Sequence, residues 1–289
     1  MLIALVMMLQ DDVPAGAPVP AAAAATAQAP AARVATWNLE NLYDVFDDPW
    51  TQDEITQPQY ASEGRLQRLA QVIRDLDADV LCVQEVENRY VLEKFVQEHL
   101  SGSGYAVVQF EGNDGRGIDV ALLSRLPVGP VTSYRHVEFT GAGGRKQRFL
   151  RDLLRVRIGA PLNADVYVVH LKSQIGGDEA DAVRAAEAQA AAAILAGELQ
   201  SDAGYRALVA GDFNDQAGSD TVQAFLGLGL VDACAGTPSV TFNREPYRER
   251  IDFVLLTPAL AQGLAGGKVL ESAAIMDASD HNPVLVTWK

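Results

Sequence analysis

Residues 279–284 read SDHNPV, and this short run is the most informative part of the 289-residue sequence. It places an aspartate, a histidine and an asparagine directly before an apolar stretch at 284–288. Three earlier runs also join apolar, strand-like stretches to carboxylates or amides: WNLE at 37–40, QE at 84–85 and GDFN at 211–214. An α/β sheet carries its catalytic side chains at such strand ends. The four runs together predict one site, divided along the chain, for a divalent metal and a phosphate.

The composition predicts one large globular domain or two small ones. The chain has 289 residues and is 48% hydrophobic, enough to bury a substantial core. It carries 38 acidic and 23 basic residues, and a net charge of −15 is the opposite of the basic face that drives non-specific nucleic-acid binding. An acidic hydrolase can still bind phosphate through a metal ion, because carboxylates hold the ion. The charge therefore argues against a tight DNA-binding module and leaves a nuclease open.

The first 32 residues differ in composition from the rest. Residues 2–9 are an apolar run that is too short to span a bilayer and suits the core of a secretory signal. No lysine or arginine precedes Arg33, so the usual positive start is missing, and residues 14–32 are rich in alanine and proline. We expect residues 1–32 to be a signal-like, disordered tail and residues 33–289 to be the catalytic domain of a secreted or periplasmic protein. The alternative is a low-complexity tail on a cytoplasmic protein.

From Arg33 onward, strand-like and helix-like patterns alternate. A strand at 34–39, a helix capped by Ser62 and a strand at 79–83 form a β-α-β opening. Further strands are predicted at 105–110, 118–123, 150–158, 166–171, 208–210, 251–256 and 284–288, and helices at 91–100 and 178–199. No internal repeat is visible. The pattern is typical of an α/β domain.

Six short motifs occur in the order found in the endonuclease/exonuclease/phosphatase superfamily, which has the DNase I-like fold. They are WNLEN at 37–41, QE at 84–85, HLKS at 170–173, GDFN at 211–214, RID at 250–252 and SDHNP at 279–283. The chain thus resembles this family over about residues 33–289. The resemblance implies a four-layered α/β sandwich, in which two mixed β-sheets pack face to face and are flanked by helices. It also implies a magnesium-dependent phosphoesterase site at one edge.

Four residues are candidates for a metal site that holds Mg²⁺ or Mn²⁺. Glu40 and Glu85 offer the hard oxygen ligands that these ions prefer, and a charge at the top of a buried strand is costly unless it is paired or metal-bound. Asn38 would hold one of these carboxylates or a metal-bound water. The resemblance makes Asp280 a further ligand of the metal or phosphate. The acidic residues at 44–48 are an alternative to Glu40.

Five residues are candidates for the chemistry itself. Asp212 and Asn214 are two residues apart, so on extended backbone they would face the same side, with the carboxylate polarising the attacking water and the amide holding it or the phosphate. An Asx turn at the strand end is the alternative. The resemblance implies that His281 contacts the scissile phosphate and that Asp252 orients it. It also implies that His170 donates a proton to the leaving oxygen, although several family members have tyrosine there.

Five cations are candidates for binding the phosphate of the substrate, and a solvated surface charge is the alternative for each. They are Arg116 in a glycine-flanked loop, Lys172 beside the histidine motif, and the cluster Arg244, Arg248 and Arg250. Tyr247, within that cluster, is available to stack on a base or a sugar.

Other functional classes fit less well. Two cysteines, Cys82 and Cys234, are too few for the usual zinc site. The sequence leaves open whether they form one disulfide with each other. A non-catalytic binding module would be expected to have lost some site residues, yet every motif position carries a competent side chain. The Cys-Asp-Arg stretch of inositol-polyphosphate phosphatases is absent before Asp252. The sequence therefore favours a metal-dependent nuclease or general phosphodiesterase, with a phosphomonoesterase or a sphingomyelinase-like lipid phosphodiesterase as alternatives.

The expected partner is a phosphodiester substrate, with nucleic acid among the candidates. No aromatic hairpin of the membrane-inserting type stands out in the sequence. We therefore expect no stable membrane insertion. We also expect the protein to be a monomer.

Overall fold

The computed structural model describes residues 32–46 and 61–289. The predicted signal-like tail up to residue 31 and the acidic residues Asp47 and Asp48 lie outside the described residues. Across the described ranges, no helix combines the length and apolar character needed to cross a membrane.

The described residues form sixteen strands and six helices. The strands are β1 (Arg33–Leu42), β2 (Val80–Val86), β3 (Ala106–Gln109), β4 (Asp119–Ser124), β5 (Val128–Ser133), β6 (Phe139–Thr140), β7 (Lys146–Gln147), β8 (Leu154–Ile158), β9 (Ala164–His170), β10 (Ala207–Asp212), β11 (Val231–Asp232), β12 (Phe242–Arg244), β13 (Tyr247–Glu249), β14 (Asp252–Leu256), β15 (Leu264–Val269) and β16 (Val284–Trp288). The helices are α1 (Glu63–Leu76), α2 (Arg89–His99), α3 (Asp178–Ser201), α4 (Asp220–Leu226), α5 (Pro258–Ala261) and α6 (Ala273–Met276).

Two six-stranded mixed sheets form the body of the protein. Their strand orders are β15-β16-β1-β2-β4-β3 and β11-β14-β10-β9-β8-β5. In each sheet one parallel pair lies at the centre, β1 with β2 and β10 with β9, and the remaining neighbours are antiparallel. A parallel pair ends at the same edge of its sheet, so each sheet offers two neighbouring strand ends to a site.

The period-two alternation of the strands divides their side chains between three apolar cores. In β2, Val80 and Cys82 point into the core between the two sheets, whereas Leu81 and Val83 pack towards α1 and α2. In the other sheet, Val168 of β9 faces the same inter-sheet core and its neighbours pack against α3 and α4. The order of layers is therefore helix, sheet, sheet, helix. This confirms the predicted four-layered sandwich of the DNase I-like type.

Ten of the shorter or more exposed elements were not predicted from the sequence, and β5, β15 and α4 show why: each has a weak pattern. Strand β5 lies at a sheet edge and is largely exposed, and β15 contains two glycines. Helix α4 has only 7 residues, too few for a periodic pattern to stand out. Cys82 and Cys234 are both buried and both free thiols, so the disulfide left open above is not formed.

Candidate active site

The ends of the two central parallel pairs meet at one edge of the sandwich and line a cavity of about 570 Å³. Nine of the predicted site residues contribute to its wall: Glu40, Glu85, Arg116, His170, Asp212, Asn214, Arg244, Asp280 and His281. The fold thus brings together side chains that are up to 241 positions apart in the sequence.

The two glutamates leave their strands at irregularities in the pairing. The register of β1 against β2 shifts between Asn38 and Leu42, and that of β2 against β4 shifts between Gln84 and Val86. Such insertions re-aim a side chain out of the regular pleat. Glu40 and Glu85 also have positive φ angles, 54° and 62°, which glutamate rarely adopts. Unfavourable backbone of this kind is concentrated at functional sites.

Asp212 and Asn214 are joined by a turn, which corrects the expectation of extended backbone between them. Asp212 Oδ1 accepts a hydrogen bond of 2.8 Å from the backbone N–H of Asn214, whose φ is 52°. The side-chain amide of Asn214 donates to the carbonyl of Leu171 at 3.0 Å. Both residues still line the cavity, because the turn bends the chain over the end of β10.

Asp212 lies at the centre of the site. Its Oδ2 accepts a hydrogen bond of 3.1 Å from the amide of Asn38, and it lies 3.7 Å from Nε2 of His170 and 3.8 Å from Nε2 of His281. Burial, with the charge of Asp252 adding to it, raises the pKa of Asp212 to about 7. A carboxylate with that pKa is suited to accept a proton near neutral pH.

His281 is held by Asp252. The distance from His281 Nδ1 to Asp252 Oδ2 is 2.9 Å, which leaves Nε2 facing Asp212. Burial opposes the charged form of the ring, but the carboxylates of Asp252 and Asp212 outweigh it and raise the pKa of His281 to about 10. The ring is therefore an imidazolium at neutral pH. The backbone of His281 is fixed as well, since Trp37 Nε1 donates to its carbonyl at 2.8 Å.

Glu40, Glu85 and Asp280 form a second part of the wall and provide only oxygen ligands. Asp280 N donates to Glu40 Oε2 at 3.0 Å. Burial, reinforced by the charges of Glu40 and Glu85, raises the pKa of Asp280 to about 6. The guanidinium of Arg244 bridges two of these carboxylates, with Nη2 at 2.5 Å from Glu40 and Nε at 2.9 Å from Asp280. This wall therefore accommodates a cation, and its donor set fits Mg²⁺ or Mn²⁺.

Asn38 lies between the two parts of the site. Its amide donates to Asp212, and its Oδ1 accepts the backbone N–H of Glu40 at 3.0 Å. Asn38 thus contacts a candidate catalytic carboxylate and a candidate metal ligand at once. Asp212, Asp252 and His281 also place one potential ligand atom each within 4.8 Å of one another, but the hydrogen bond between His281 and Asp252 already uses two of those groups.

His170, at the end of β9, is 3% exposed. Burial and the nearby cations, first among them Arg151 and Arg116, hold its pKa well below the usual value. The ring is therefore neutral at neutral pH. Its Nε2 faces Asp212 and lies 4.0 Å from Glu85 Oε1, while Nδ1 has no hydrogen-bond partner among the described residues.

The hairpin of β12 and β13 explains which of the predicted cations reach the cavity. Arg244 pairs with Tyr247 across the hairpin, and both line the cavity, as do Phe242 and Glu249 at the next pair on the same face. Arg248 occupies the alternate position and does not line the cavity. Its nearest polar partner is Asn243 Oδ1 at 3.4 Å, so its predicted role in binding substrate phosphate lacks a geometric basis.

Arg116 lines the cavity, whereas Lys172 and Arg250 do not. Lys172 Nζ is turned back to its own loop, with Ile175 O at 2.9 Å. Arg250 makes a two-fold ion pair with Asp232, at 2.9 Å and 2.5 Å, and its side chain is 13% exposed. The structure therefore corrects the assignment of Lys172 and Arg250 as substrate-binding residues, because their charges are used within the fold.

Sequence reasoning missed the buried charged residues that hold the chain around Leu150 and Lys172. Glu187 of α3 accepts the backbone N–H groups of Leu150 and Lys172, each at 2.8 Å, and Arg184 of the same helix donates to the carbonyl of Lys172 at 3.2 Å. Arg151, before β8, is 3% exposed. A usable signal existed in α3, since Arg184 and Glu187 fall three residues apart on its alanine-rich, buried face.

Residues 33–233 match the sequence profile of the Endonuclease/Exonuclease/phosphatase family. No curated protein sequence matches the chain significantly. Among solved structures, the AP endonuclease from Archaeoglobus fulgidus is 21% identical, with a TM-score of 0.61 over 89% of this chain and 99% of that one. Sphingomyelinase C from Streptomyces griseocarneus is 20% identical, with a TM-score of 0.62 over 90% and 100%. The human Nocturnin catalytic domain, solved with a bound sulfate anion, is 19% identical, with a TM-score of 0.62 over 91% and 95%.

At such low sequence identities the structural matches show the fold alone. The profile match spans more than half of the sequence and includes the motifs at 37–41, 84–85, 170–173 and 211–214. The chain belongs to the endonuclease/exonuclease/phosphatase family.

Proposed function

We propose that the protein is a divalent-metal-dependent phosphoesterase that hydrolyses phosphodiester bonds by in-line attack of water. The observation that carries this proposal is the position of Asp212. One buried carboxylate oxygen lies within 3.8 Å of an amide and two imidazole nitrogens, in a cavity that is also lined by the carboxylates of Glu40, Glu85 and Asp280. That arrangement provides a base, a cation and a donor around one cavity with room for a phosphate group.

Asp212 would activate the water. Its raised pKa of about 7 allows it to accept a proton, and the amide of Asn38 holds Oδ2 in place. Asn214, fixed by the turn to Asp212, adds an amide at the same side of the cavity. These two asparagines therefore set the direction from which the water approaches the phosphorus.

His281 would stabilise the charge that develops on the phosphate. It is an imidazolium whose Nε2 faces the cavity, because Asp252 occupies Nδ1. Pre-oriented charged donors of this kind stabilise a transition state without reorganisation. Glu40, Glu85 and Asp280 would hold Mg²⁺ or Mn²⁺, which supplies Lewis-acid neutralisation of the phosphate oxygens.

His170 would act on the leaving oxygen. Because its pKa is lowered, it is a neutral imidazole that would donate an N–H hydrogen bond to the leaving oxygen through Nε2 and keep its proton, while the leaving oxygen takes a proton from water. This refines the expected role as a simple proton donor, which would call for a charged ring in the resting protein.

The substrate class is a phosphodiester, with a nuclease or general phosphodiesterase as the favoured activity. Tyr247 is 66% exposed on the cavity side of the hairpin, so an aromatic face is available to a base or another flat group. The net charge of −15 favours a short or small diester over a long nucleic-acid duplex.

A substrate panel tests the proposal. Purified protein would be assayed with bis-p-nitrophenyl phosphate, DNA, RNA, phosphomonoesters and sphingomyelin vesicles, each with Mg²⁺, Mn²⁺, Zn²⁺ or chelator. We expect diester hydrolysis that chelator abolishes and Mg²⁺ or Mn²⁺ restores. Hydrolysis that survives exhaustive metal removal, or that only Zn²⁺ restores, contradicts the metal assignment. Activity confined to monoesters contradicts the substrate class.

A further inference from the structure

The loop between β3 and β4 carries Arg116 to the cavity and is fastened to the segment that precedes β8. The backbone N–H of Asn113 donates to Leu150 O at 2.6 Å, and that of Gly112 donates to Asp119 Oδ1 at 2.7 Å. A Cβ at Gly112 would lie 2.3 Å from the same oxygen, so only glycine permits this approach. The base of the loop is thus held in place by Leu150, the residue directly before Arg151.

Asp114 joins two arginines at the tip of this loop. Its Oδ2 lies 2.7 Å from Nε of Arg151, and its Oδ1 lies 3.5 Å from Nε of Arg116 and accepts the Arg116 backbone N–H at 2.8 Å. The side chains of Arg151, Asp114 and Arg116 are 3%, 9% and 37% exposed. One carboxylate therefore contacts a buried cation on one side and a cation that faces the cavity on the other.

Arg151 also contacts the strand ends that carry the proposed chemistry. Its Nη1 donates to Leu171 O at 3.3 Å, the same carbonyl that accepts the Asn214 amide at 3.0 Å. The backbone N–H of Leu171 donates to Asp212 O at 3.0 Å. The guanidinium of Arg151 thus lies between the Arg116 loop and the ends of β9 and β10.

From this geometry we propose that Arg116 donates to a phosphate oxygen of the substrate, and that Asp114 and Arg151 are positioning residues that fix its guanidinium. The charged groups here are Arg116, Arg151 and Lys172 against Asp114 and Glu187, which leaves a net positive charge, whereas the wall of Glu40, Glu85 and Asp280 is acidic. A phosphate in this cavity then meets a guanidinium that is not paired with those three carboxylates. The inference rests on the proposed function and adds how its phosphate-binding cation is held.

A double-mutant cycle tests whether Asp114 acts through Arg116. Asp114→Asn, Arg116→Ala and the double variant would be compared with the wild type by calorimetric titration with inorganic phosphate in the presence of Mg²⁺. Loss of one charge-assisted contact corresponds to roughly ten- to hundred-fold weaker binding, which we expect for Arg116→Ala. We expect a smaller loss, about three- to ten-fold, for Asp114→Asn, and no further loss when it is added to Arg116→Ala. With bis-p-nitrophenyl phosphate the same variants should raise KM more than they lower kcat.

Two further variants separate positioning from general structure. Arg148→Ala removes an arginine that pairs with Glu138 at 2.8 Å on the surface, and it should leave phosphate affinity unchanged. Arg151→Lys keeps the charge but not the fork that reaches both Asp114 and Leu171 O, so it should resemble Asp114→Asn.

Several outcomes overturn the inference. If Asp114→Asn weakened phosphate binding equally in the wild type and in Arg116→Ala, the carboxylate would not act through Arg116 but only through the fold. A lowered melting temperature with unchanged phosphate affinity would show the same. Wild-type protein that hydrolyses a diester while Arg116→Ala binds phosphate normally refutes the inference and leaves the proposed function standing. Wild-type protein that hydrolyses no phosphate ester with any metal refutes the proposed function, and the inference falls with it.

Discussion

Asp212 and Asp252 lie directly opposite each other on the antiparallel strands β10 and β14, so the fold places two buried carboxylates at one edge of the cavity. His281 lies between them, with Nδ1 at 2.9 Å from Asp252 and Nε2 at 3.8 Å from Asp212. The imidazolium is the cation that contacts both carboxylates, and two like charges at this depth are costly without one. The orientation of His281 therefore depends on a strand that is distant from it in sequence.

The first prediction concerns that orientation. Asp252→Asn keeps the size of the side chain but removes the charge that holds the imidazolium, so kcat on the diester should fall by roughly two to four orders of magnitude. Steady-state kinetics measure this effect, and circular dichroism checks the fold. Asp232→Asn, on the neighbouring strand β11 and outside the cavity, is the matched control and should keep the wild-type kcat. If both variants lost kcat equally, the cause would be a general disturbance of the sheet and not the orientation of His281.

A second prediction separates an enzyme from a binding module. Asp212→Asn and His281→Ala should each lower kcat by roughly two to four orders of magnitude, because each removes a positioned acid-base or electrostatic group. The double variant should be little worse than the poorer single variant, because residues that act as a unit are not additive. If both single variants kept the wild-type kcat with the fold intact, Asp212 and His281 would not be the residues that carry the chemistry.

The third prediction concerns the carboxylate wall and uses metal affinity as its measurement. Glu40→Gln and Glu85→Gln each remove a charged oxygen ligand and should weaken Mn²⁺ binding at least about ten-fold in calorimetric titration. Arg244→Gln should act in the opposite direction, because its guanidinium competes for Glu40 and Asp280 at 2.5 Å and 2.9 Å.

Two controls accompany the metal titration. Glu249→Gln alters a cavity carboxylate on the hairpin that is bonded to Gln174 at 3.3 Å, and Arg248→Gln alters the arginine on the opposite face of the same hairpin. Both should bind Mn²⁺ as the wild type does. Weaker Mn²⁺ binding by Arg244→Gln would show that the arginine supports the metal site and does not compete for it.

The sequence predicted the position of the site because the motifs follow buried strands. Parallel pairing brings the ends of β1 and β2 together, and likewise those of β9 and β10, so the motifs on each pair were expected to be neighbours once their strands were recognised. That the two pairs meet at the same edge depends on how the two sheets stack, which the family resemblance implied. The pairing of Asp252 with His281 followed from the family resemblance. The left-handed backbone at Glu40 and Glu85 had no signal in the sequence, because bulges arise from the register of neighbouring strands.

The cations were harder to assign because their partners come from distant segments. Arg250 pairs with Asp232 and Arg151 with Asp114, at separations of 18 and 37 residues that local pattern does not link. Arg244 and Arg248 could have been separated by alternation, but only with the hairpin turn between them placed correctly. Charge alone therefore did not distinguish arginines that face the cavity from those that hold the fold.

The last prediction tests this distinction with Arg250. Its guanidinium makes two contacts with Asp232, at 2.9 Å and 2.5 Å, and lies 4.5 Å from the ring centre of Phe253, so Arg250→Met leaves a largely buried carboxylate unpaired. Breaking one partner of such a pair costs about 3 kcal/mol, and urea denaturation should show a loss of that size in the free energy of unfolding. KM for the diester should stay at the wild-type value, because Arg250 does not line the cavity. Arg248→Met is the surface control, expected to change the free energy of unfolding by no more than about 0.5 kcal/mol. If Arg250→Met raised KM and left the free energy of unfolding unchanged, Arg250 would be a substrate-binding residue after all.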